Sequence, residues 1–208
     1  MPSDIHWYYY SRQKRAFDVV TAALILILAC PLFIIISMMI WWSDGWPIIF
    51  CQKRIGLHQK PFFMFKFRTM VKNADQLKAK LWSHNQAPWP MFKLDYDPRF
   101  IKFGKFLSKT GLDELPQLFN ILKGEMSLIG PRPLPVNEVK QLPSSWNFRH
   151  LVRPGVFSEW TLASERHHSL TKWKRLDRRT LQRGGISYDL NLAKQTAQKI
   201  IHSLLAHN

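Results

Sequence analysis

One stretch constrains this chain more than any other. Residues Val19 to Trp42, VVTAALILILACPLFIIISMMIWW, are 24 consecutive uncharged and mostly apolar positions. As one helix the run would be about 36 Å long, enough for a hydrocarbon core of about 30 Å. A cleaved signal peptide does not fit, because the run is too long and no small-residue cleavage site follows it. A plain spanning anchor is also strained. Pro31 lies at the middle of the run. It lacks a backbone donor and clashes with the carbonyl four residues earlier, which predicts a break at Cys30-Pro31. Each half is then about 18 Å long, roughly one leaflet. Arg12, Lys14 and Arg15 precede the run, and Lys53, Arg54 and Lys60 follow it. The positive-inside rule places both flanks in the cytoplasm. A kinked span satisfies one flank, and a helix-break-helix that dips in and returns satisfies both. Proline is common in ordinary spans, so the residues leave both arrangements open. Trp41, Trp42 and Trp46 at one end, and Trp7 with Tyr8 to Tyr10 at the other, suit the headgroup layer.

The remainder is globular in character. Apolar residues make up 46% of the 208, which excludes wholesale disorder. Thirty Lys and Arg against 14 Asp and Glu give a formal charge of +16. That excess points to anionic partners: nucleic acid, acidic lipid or a phosphorylated substrate. Two cysteines, Cys30 and Cys51, cannot build a multi-bridge disulfide framework. Neither His167-His168 nor Cys51 with His58 makes a metal set. No P-loop, GxGxxG or CxxC pair occurs.

Ile48 to Cys51 reads as a short strand, Gln52 to Lys60 as a turn and Pro61 to Phe67 (PFFMFKF) as a second strand, together a β-hairpin. Arg68 to Trp82 carries a helical stripe at Met70, Ala74, Leu77 and Leu81. Pro88, Pro90 and Pro98 mark an irregular stretch, as do Pro131, Pro133, Pro135 and Pro143 further on. FIKFGKFL, Phe100 to Leu107, alternates basic and apolar residues and suits a membrane surface. Thr110 to Lys123 (TGLDELPQLFNILK) reads as a helix. Thr110 and Asp113 form a capping-box-like start, and Pro116 sits in the first turn. Leu115, Leu118, Phe119 and Leu122 supply the apolar face, and Gly124 is the stop. Tyr188 to Leu205 reads as an amphipathic helix.

Chemistry concentrates in three places. Asp113 and Glu114 are adjacent acids in a chain short of acids. Read alone they cap a helix N-terminus; read functionally they hold a divalent cation or attack phosphorus. Lys66 and Arg68 flank Phe67, and on a strand both would point the same way, as an exposed basic edge or a phosphate clamp. Arg132 is fixed between Pro131 and Pro133, a fair anion-binding placement.

These segments together resemble one family. KRAFD before the apolar run is one of them. The others are CQKRIGLHQKPFFMFKFRTM, DPRFIKFGKFLSKTGLDELPQLFNILKGEMSLIGPRP and VRPGV. They look like the bacterial sugar transferases that start lipid-linked glycan assembly, the polyprenyl-phosphate hexose-1-phosphate or monotopic phosphoglycosyl transferases. The resemblance runs from about Lys14 to Gly155.

It implies an α+β fold. Residues 1–18 would be a cytoplasmic interfacial segment, and 19–42 a membrane-embedded re-entrant helix broken at Cys30-Pro31. Residues 43–208 would be a small, mostly helical catalytic domain with a short β-hairpin and surface amphipathic helices. It would sit on the cytoplasmic face of the bacterial inner membrane.

It also implies a reaction. A sugar-1-phosphate passes from a UDP-sugar to undecaprenyl or another polyprenyl phosphate and UMP leaves, the first membrane step of exopolysaccharide, O-antigen or capsule synthesis. Asp113 would be the nucleophile and a Mg²⁺ ligand, with Glu114 assisting as a base. Lys66, Arg68, Arg99, Lys109 and Arg132 would bind phosphates. The competing reading, a membrane-tethered basic protein holding nucleic acid or anionic lipid, has no nucleic-acid fold signature behind it. The sequence departs from the family pattern at Cys30-Pro31, usually Ser-Pro, at Glu125, usually Asp, and at Ser108-Lys109, usually two bases. The tail beyond Gly155 matches poorly, which leaves the donor sugar open.

Overall fold

The computed structural model describes residues 4–163 and 169–205; His167-His168 lie outside them. A 3₁₀ turn, Trp7–Tyr10, leads into helix α1, Arg12–Leu28, whose start is capped by Ser11 Oγ accepting the Lys14 N–H at 3.0 Å. Helix α2, Cys30–Asp44, follows after one residue, and the pair is bent by 63°. The break falls at Ala29, in the turn just before Pro31, and Cys30-Pro31 open α2. A helix cannot run through proline, yet it can restart on one, since the first turn needs no donor. Ala29 closes both helices: its N–H donates to Ile25 O at 2.8 Å and its carbonyl accepts from the Phe33 N–H at 2.9 Å. The helices also outrun the apolar stretch, reaching back to Arg12 and on to Asp44. Among the described residues no single helix is long and apolar enough to cross a bilayer; the bent pair together is, by length and composition.

The pair is buried on one side only. Ala22, Ile36 and Ile40 are fully enclosed, whereas Leu24, Ile27, Leu28, Ile35, Met38 and Trp41 are more than half exposed and Trp42 is 89% exposed. Such a continuous apolar face is unusual for a surface left in water. Its inner side packs on the rest of the chain in two places. Ala22 joins Met64, Ile121, Met126, Leu128, Val156 and Leu192, while Ile36 and Ile40 join Phe67, Ile101 and Leu107. A polar tie anchors the start of α1. Lys14 Nζ lies 2.7 Å from Asp18 Oδ1 and 2.7 Å from Asp189 Oδ2, and Asp18 Oδ1 also accepts the Leu128 N–H at 3.1 Å. All three charged side chains are almost completely buried.

The expected hairpin is present and longer than its sequence suggested. Strand β1, Ile49–Ile55, pairs antiparallel with β2, Pro61–Phe67, from Ile49 opposite Phe67 to Ile55 opposite Pro61, so only residues 56–60 turn. The polar end of β1 stays extended because a further strand, β4, Leu134–Pro135, pairs with it, Ile55 opposite Leu134. A second sheet of two parallel strands joins β3, Ser127–Ile129, to β5, Gly155–Phe157. At this join a methyl on Gly155 would overlap the backbone of Gly130, so the GPRP and RPG segments meet only because both carry glycine.

The helical readings shift as well. Helix α3 spans Ala74–Lys80 rather than Arg68 to Trp82, because Met70 is taken into a β-bridge with Phe100. The stretch Phe100 to Leu107 buries Ile101 and Leu107 and enters helix α4, Gly104–Thr110, with Lys102, Lys105 and Phe106 left exposed. Helix α5, Gln117–Lys123, stops at Gly124, whose φ of 84° suits glycine. Single turns α6, Val136–Val139, and α7, Glu159–Leu162, precede α8, Leu170–Gln182, and α9, Ile186–Leu205.

Candidate active site

The segment read as one helix from Thr110 to Lys123 is two helices with a corner between them. Thr110 ends α4, its hydroxyl donating back to the Phe106 and Leu107 carbonyls at 2.9 and 3.1 Å. Gly111, at φ 72°, reverses the chain, and Leu112–Glu114 form a 3₁₀ turn. Pro116 is the residue before α5, not part of its first turn. The capping-box start is therefore absent, because the left-handed backbone at Gly111 separates Thr110 from any helix that follows. No side chain caps the turn or α5. The inward face of α5 is Gln117, Leu118, Asn120 and Ile121, leaving Phe119 and Leu122 outward. Phe119 meets Phe33 of α2 edge to face, at 6.2 Å between ring centres.

Released from capping, the two acids face cations. Lys66 Nζ stands 2.7 Å from Glu114 Oε1 and 3.3 Å from Asp113 Oδ2, and Arg132 Nη2 donates to the same Glu114 oxygen at 2.8 Å. Lys66 reaches them because it shares the parity of the buried Phe62 and Met64 on β2. Asp113 is only 5% exposed. Burial pushes the Asp113 carboxyl up; Lys66 opposes this, Glu114 adds to it, Arg132 opposes it, and the net direction is up. Burial would raise Glu114 too, but Arg132 and Lys66 outweigh it and hold that carboxyl well below the usual carboxylate range. Two neighbouring acids thus differ in basicity. Asp113 is the more basic, and Glu114 is the fixed counter-ion.

Of the five cations proposed for phosphates, the structure brings Lys66 and Arg132 to the dyad. Arg68 does not point the same way as Lys66. The strand ends at Phe67, and the Arg68 guanidinium turns to the end of α2. There it lies 3.1 Å from Asp44 Oδ2 and donates to the Asp44 and Gly45 carbonyls at 3.0 and 2.6 Å. Arg99 forks onto Asp97 at 2.8 and 2.6 Å and lies over the Phe92 ring. Lys109 is exposed near the end of α4.

Sequence reading missed two arginines that serve the site. The Gly-Pro-Arg-Pro loop has few N–H groups of its own, so its carbonyls are held from outside. The Pro131 carbonyl accepts from the Gly155 N–H at 3.0 Å, that of Arg132 from Arg149 Nη2 at 2.8 Å, and that of Pro133 from Arg54 Nη1 at 3.0 Å. In the sequence Arg54 is only one of the basic residues that follow the apolar run. Burial, helped by Arg132 nearby, lowers its guanidinium to about 10. The signal available in the sequence was the proline-rich loop itself, which needs donors it cannot supply.

A family model described as bacterial sugar transferase matches residues 9–203 of this sequence. The chain belongs to the bacterial sugar transferase family. The match extends far past Gly155, where the recognisable motifs thin out, so α8 and α9 lie within the family's unit. Among related bacterial sugar transferases, galactosyl transferase CpsE of Streptococcus agalactiae serotype III is 42% identical over 159 residues, 76% of this chain and 35% of that protein. Undecaprenyl-phosphate galactose phosphotransferase of Salmonella typhimurium is 41% identical over 157 residues, 72% of this chain and 32% of that protein. Exopolysaccharide production protein ExoY of Sinorhizobium fredii is 36% identical over 187 residues, 88% of this chain and 83% of that protein. The chain thus spans about a third of the length of the first two relatives and most of the third.

Proposed function

We propose that this bacterial sugar transferase moves a sugar-1-phosphate from a UDP-sugar to a polyprenyl phosphate. The observation that carries the reading is the pair Asp113-Glu114, Asp113 buried and Glu114 partly so, unused as a helix cap and set against Lys66 and Arg132. A carboxylate attacking a diphosphate meets a repelling anion, so cations must first neutralise the phosphate oxygens. Lys66 is within reach of both carboxylates and Arg132 of Glu114, and Arg gives the phosphate a planar fork. An Asp113 oxygen attacks the phosphorus that bears the sugar. The bond from that phosphorus to the bridging oxygen breaks, and UMP leaves with the electron pair. A phosphate oxygen of the polyprenyl phosphate then attacks the same phosphorus, the bond to Asp113 breaks and the carboxylate is restored. The covalent step splits one displacement into two and lets the soluble nucleotide depart before the lipid enters. Glu114 is a poor base while both cations rest on it. Substrate phosphates that draw Lys66 and Arg132 away raise its basicity toward the incoming lipid phosphate.

Magnesium fits this donor set. Among the described residues no three His, Cys, Asp or Glu side chains cluster, but Mg²⁺ commonly takes one or two carboxylates and fills its shell with water and substrate phosphate. Asp113 and Glu114 would hold it. At the dyad two carboxylates already balance two cations, so a bound divalent ion would offset the charge of an arriving diphosphate. The test is a panel of UDP-sugars incubated with membranes bearing the protein. Release of UMP that needs both Mg²⁺ and undecaprenyl phosphate is expected; nucleotide turnover without lipid phosphate, or none with any donor, refutes the assignment.

The bent pair and its exposed apolar face support a site that works at a bilayer. With both flanks at one surface, each arm of a 63° bend slopes about 30° to the membrane plane. The apolar parts of α1 and α2, about 15 and 20 Å long, then carry the tip only about 8–10 Å down, inside one leaflet of about 15 Å. The domain would lie on the cytoplasmic face of the inner membrane, where polyprenyl phosphate offers its head. Trp7 and Trp46 are 58% and 69% exposed. Single cysteines at these positions, in a background with Cys30 and Cys51 replaced, are expected to label from the cytoplasmic side alone. Labelling from opposite sides removes the re-entrant arrangement.

A further inference from the structure

The loop that carries Arg132 is held by a charge pair that stability does not explain. Arg149 and Asp177 are buried to 2% and 0% side-chain exposure, with Arg149 Nη2 3.0 Å from Asp177 Oδ2. The same nitrogen donates to the Arg132 carbonyl at 2.8 Å. Arg149 Nε and Nη1 are buried without a hydrogen-bond partner among the described residues. A desolvated ion pair with unfilled donors is a poor stabiliser, and an apolar pair of the same volume usually does as well. What an apolar pair cannot do is hold a carbonyl. Arg132 has prolines on both sides, so neither neighbouring residue can donate an N–H to fix the loop, and its own carbonyl is held by Arg149.

The same helix supports the other end of the side chain. The Arg132 guanidinium lies 5.6 Å over the Trp160 ring, and Trp160 stacks on Trp173 of α8 with centres 4.5 Å apart. Asp177 lies four residues further along α8, one turn away, so a single helix steadies the backbone of Arg132 through Arg149 and its head through Trp160.

We propose that Arg149 is a positioning residue for Arg132 and that Asp177 holds Arg149 in that role, so that α8 sets where the active-site guanidinium meets Glu114 and the substrate phosphates. The kinetic part of this inference rests on the transfer reaction proposed above; the structural part does not. Two variants of the full chain test it in detergent or lipid discs, Arg149→Lys and the shape-preserving Asp177→Asn. Hydrogen exchange at the Arg132 and Leu134 amides should quicken about tenfold in both, with the β1–β2 hairpin unchanged. UMP release should fall about tenfold to thirtyfold in kcat/KM in the parent background, and less than twofold where Arg132 is already Ala, because the lost effect is Arg132's own. A merely structural role predicts equal factors in both backgrounds. Unchanged exchange in the loop, or equal kinetic losses with and without Arg132, overturns the proposal. Should Arg149→Lys fail to fold, Asp177→Asn carries both measurements. If the parent chain releases no UMP from any donor, the transfer reading falls, and the exchange result alone decides the positioning role.

Discussion

Asp113→Asn is expected to lower UMP release by at least about 10³-fold, because it removes the only group proposed to bond to phosphorus. The fold should survive the change. Asp113 is a buried carboxyl already pushed up by its surroundings, and Lys66 keeps Glu114 at 2.7 Å as a partner. An amide of the same shape therefore removes a desolvation cost rather than leaving a cation alone. The parent protein quenched in mid-turnover with sugar-labelled donor should carry label that hydroxylamine releases, as an acyl phosphate would; the variant should carry none. Full activity in Asp113→Asn would remove the nucleophile assignment. A parent protein free of label under every quench would remove the covalent step while leaving the transfer itself standing.

The second large effect is on stability. Lys14→Met strips the shared counter-ion from Asp18 and Asp189, whose side chains are 2% and 1% exposed. Two carboxylates left buried without their cation should cost about 3–5 kcal/mol. For a chain of this size that lowers the unfolding midpoint by roughly 6–20 °C. Adding Asp189→Asn should return part of the loss, since one uncompensated charge disappears; the two changes meet at one contact and are not additive. A midpoint shift below about 2 °C for Lys14→Met would show that the tie contributes little.

What could be read from the residues alone follows physical range. The dyad and its two cations were legible because Asp113, Glu114, Lys66 and Arg132 each sit in a long distinctive string. Their meeting was not legible, since Lys66 and Glu114 are brought together by a β-strand and a 3₁₀ turn 48 positions apart. Arg68 was misplaced because strand parity holds only while the strand lasts, and it ends one residue earlier. Gly111 was the overlooked mark between α4 and the dyad turn; its left-handed φ outweighed a capping pattern that looked complete. Strands β3, β4 and β5, of two or three residues, are too short to show a period and exist only through the partners they pair with. Arg149 and Asp177 left no trace at all, since a buried pair between a loop and a distant helix obeys no local rule.

The tie at Lys14 has a consequence for how the molecule is made. Its two acids lie 4 and 175 positions away along the chain. The near pair can form as soon as α1 emerges from the ribosome, but the far one must wait until α9 has been synthesised. Closure of so long a loop is slow and comes late. Until α9 arrives Lys14 is paired only within its own helix, and Asp189 is what ties that helix to the last one described.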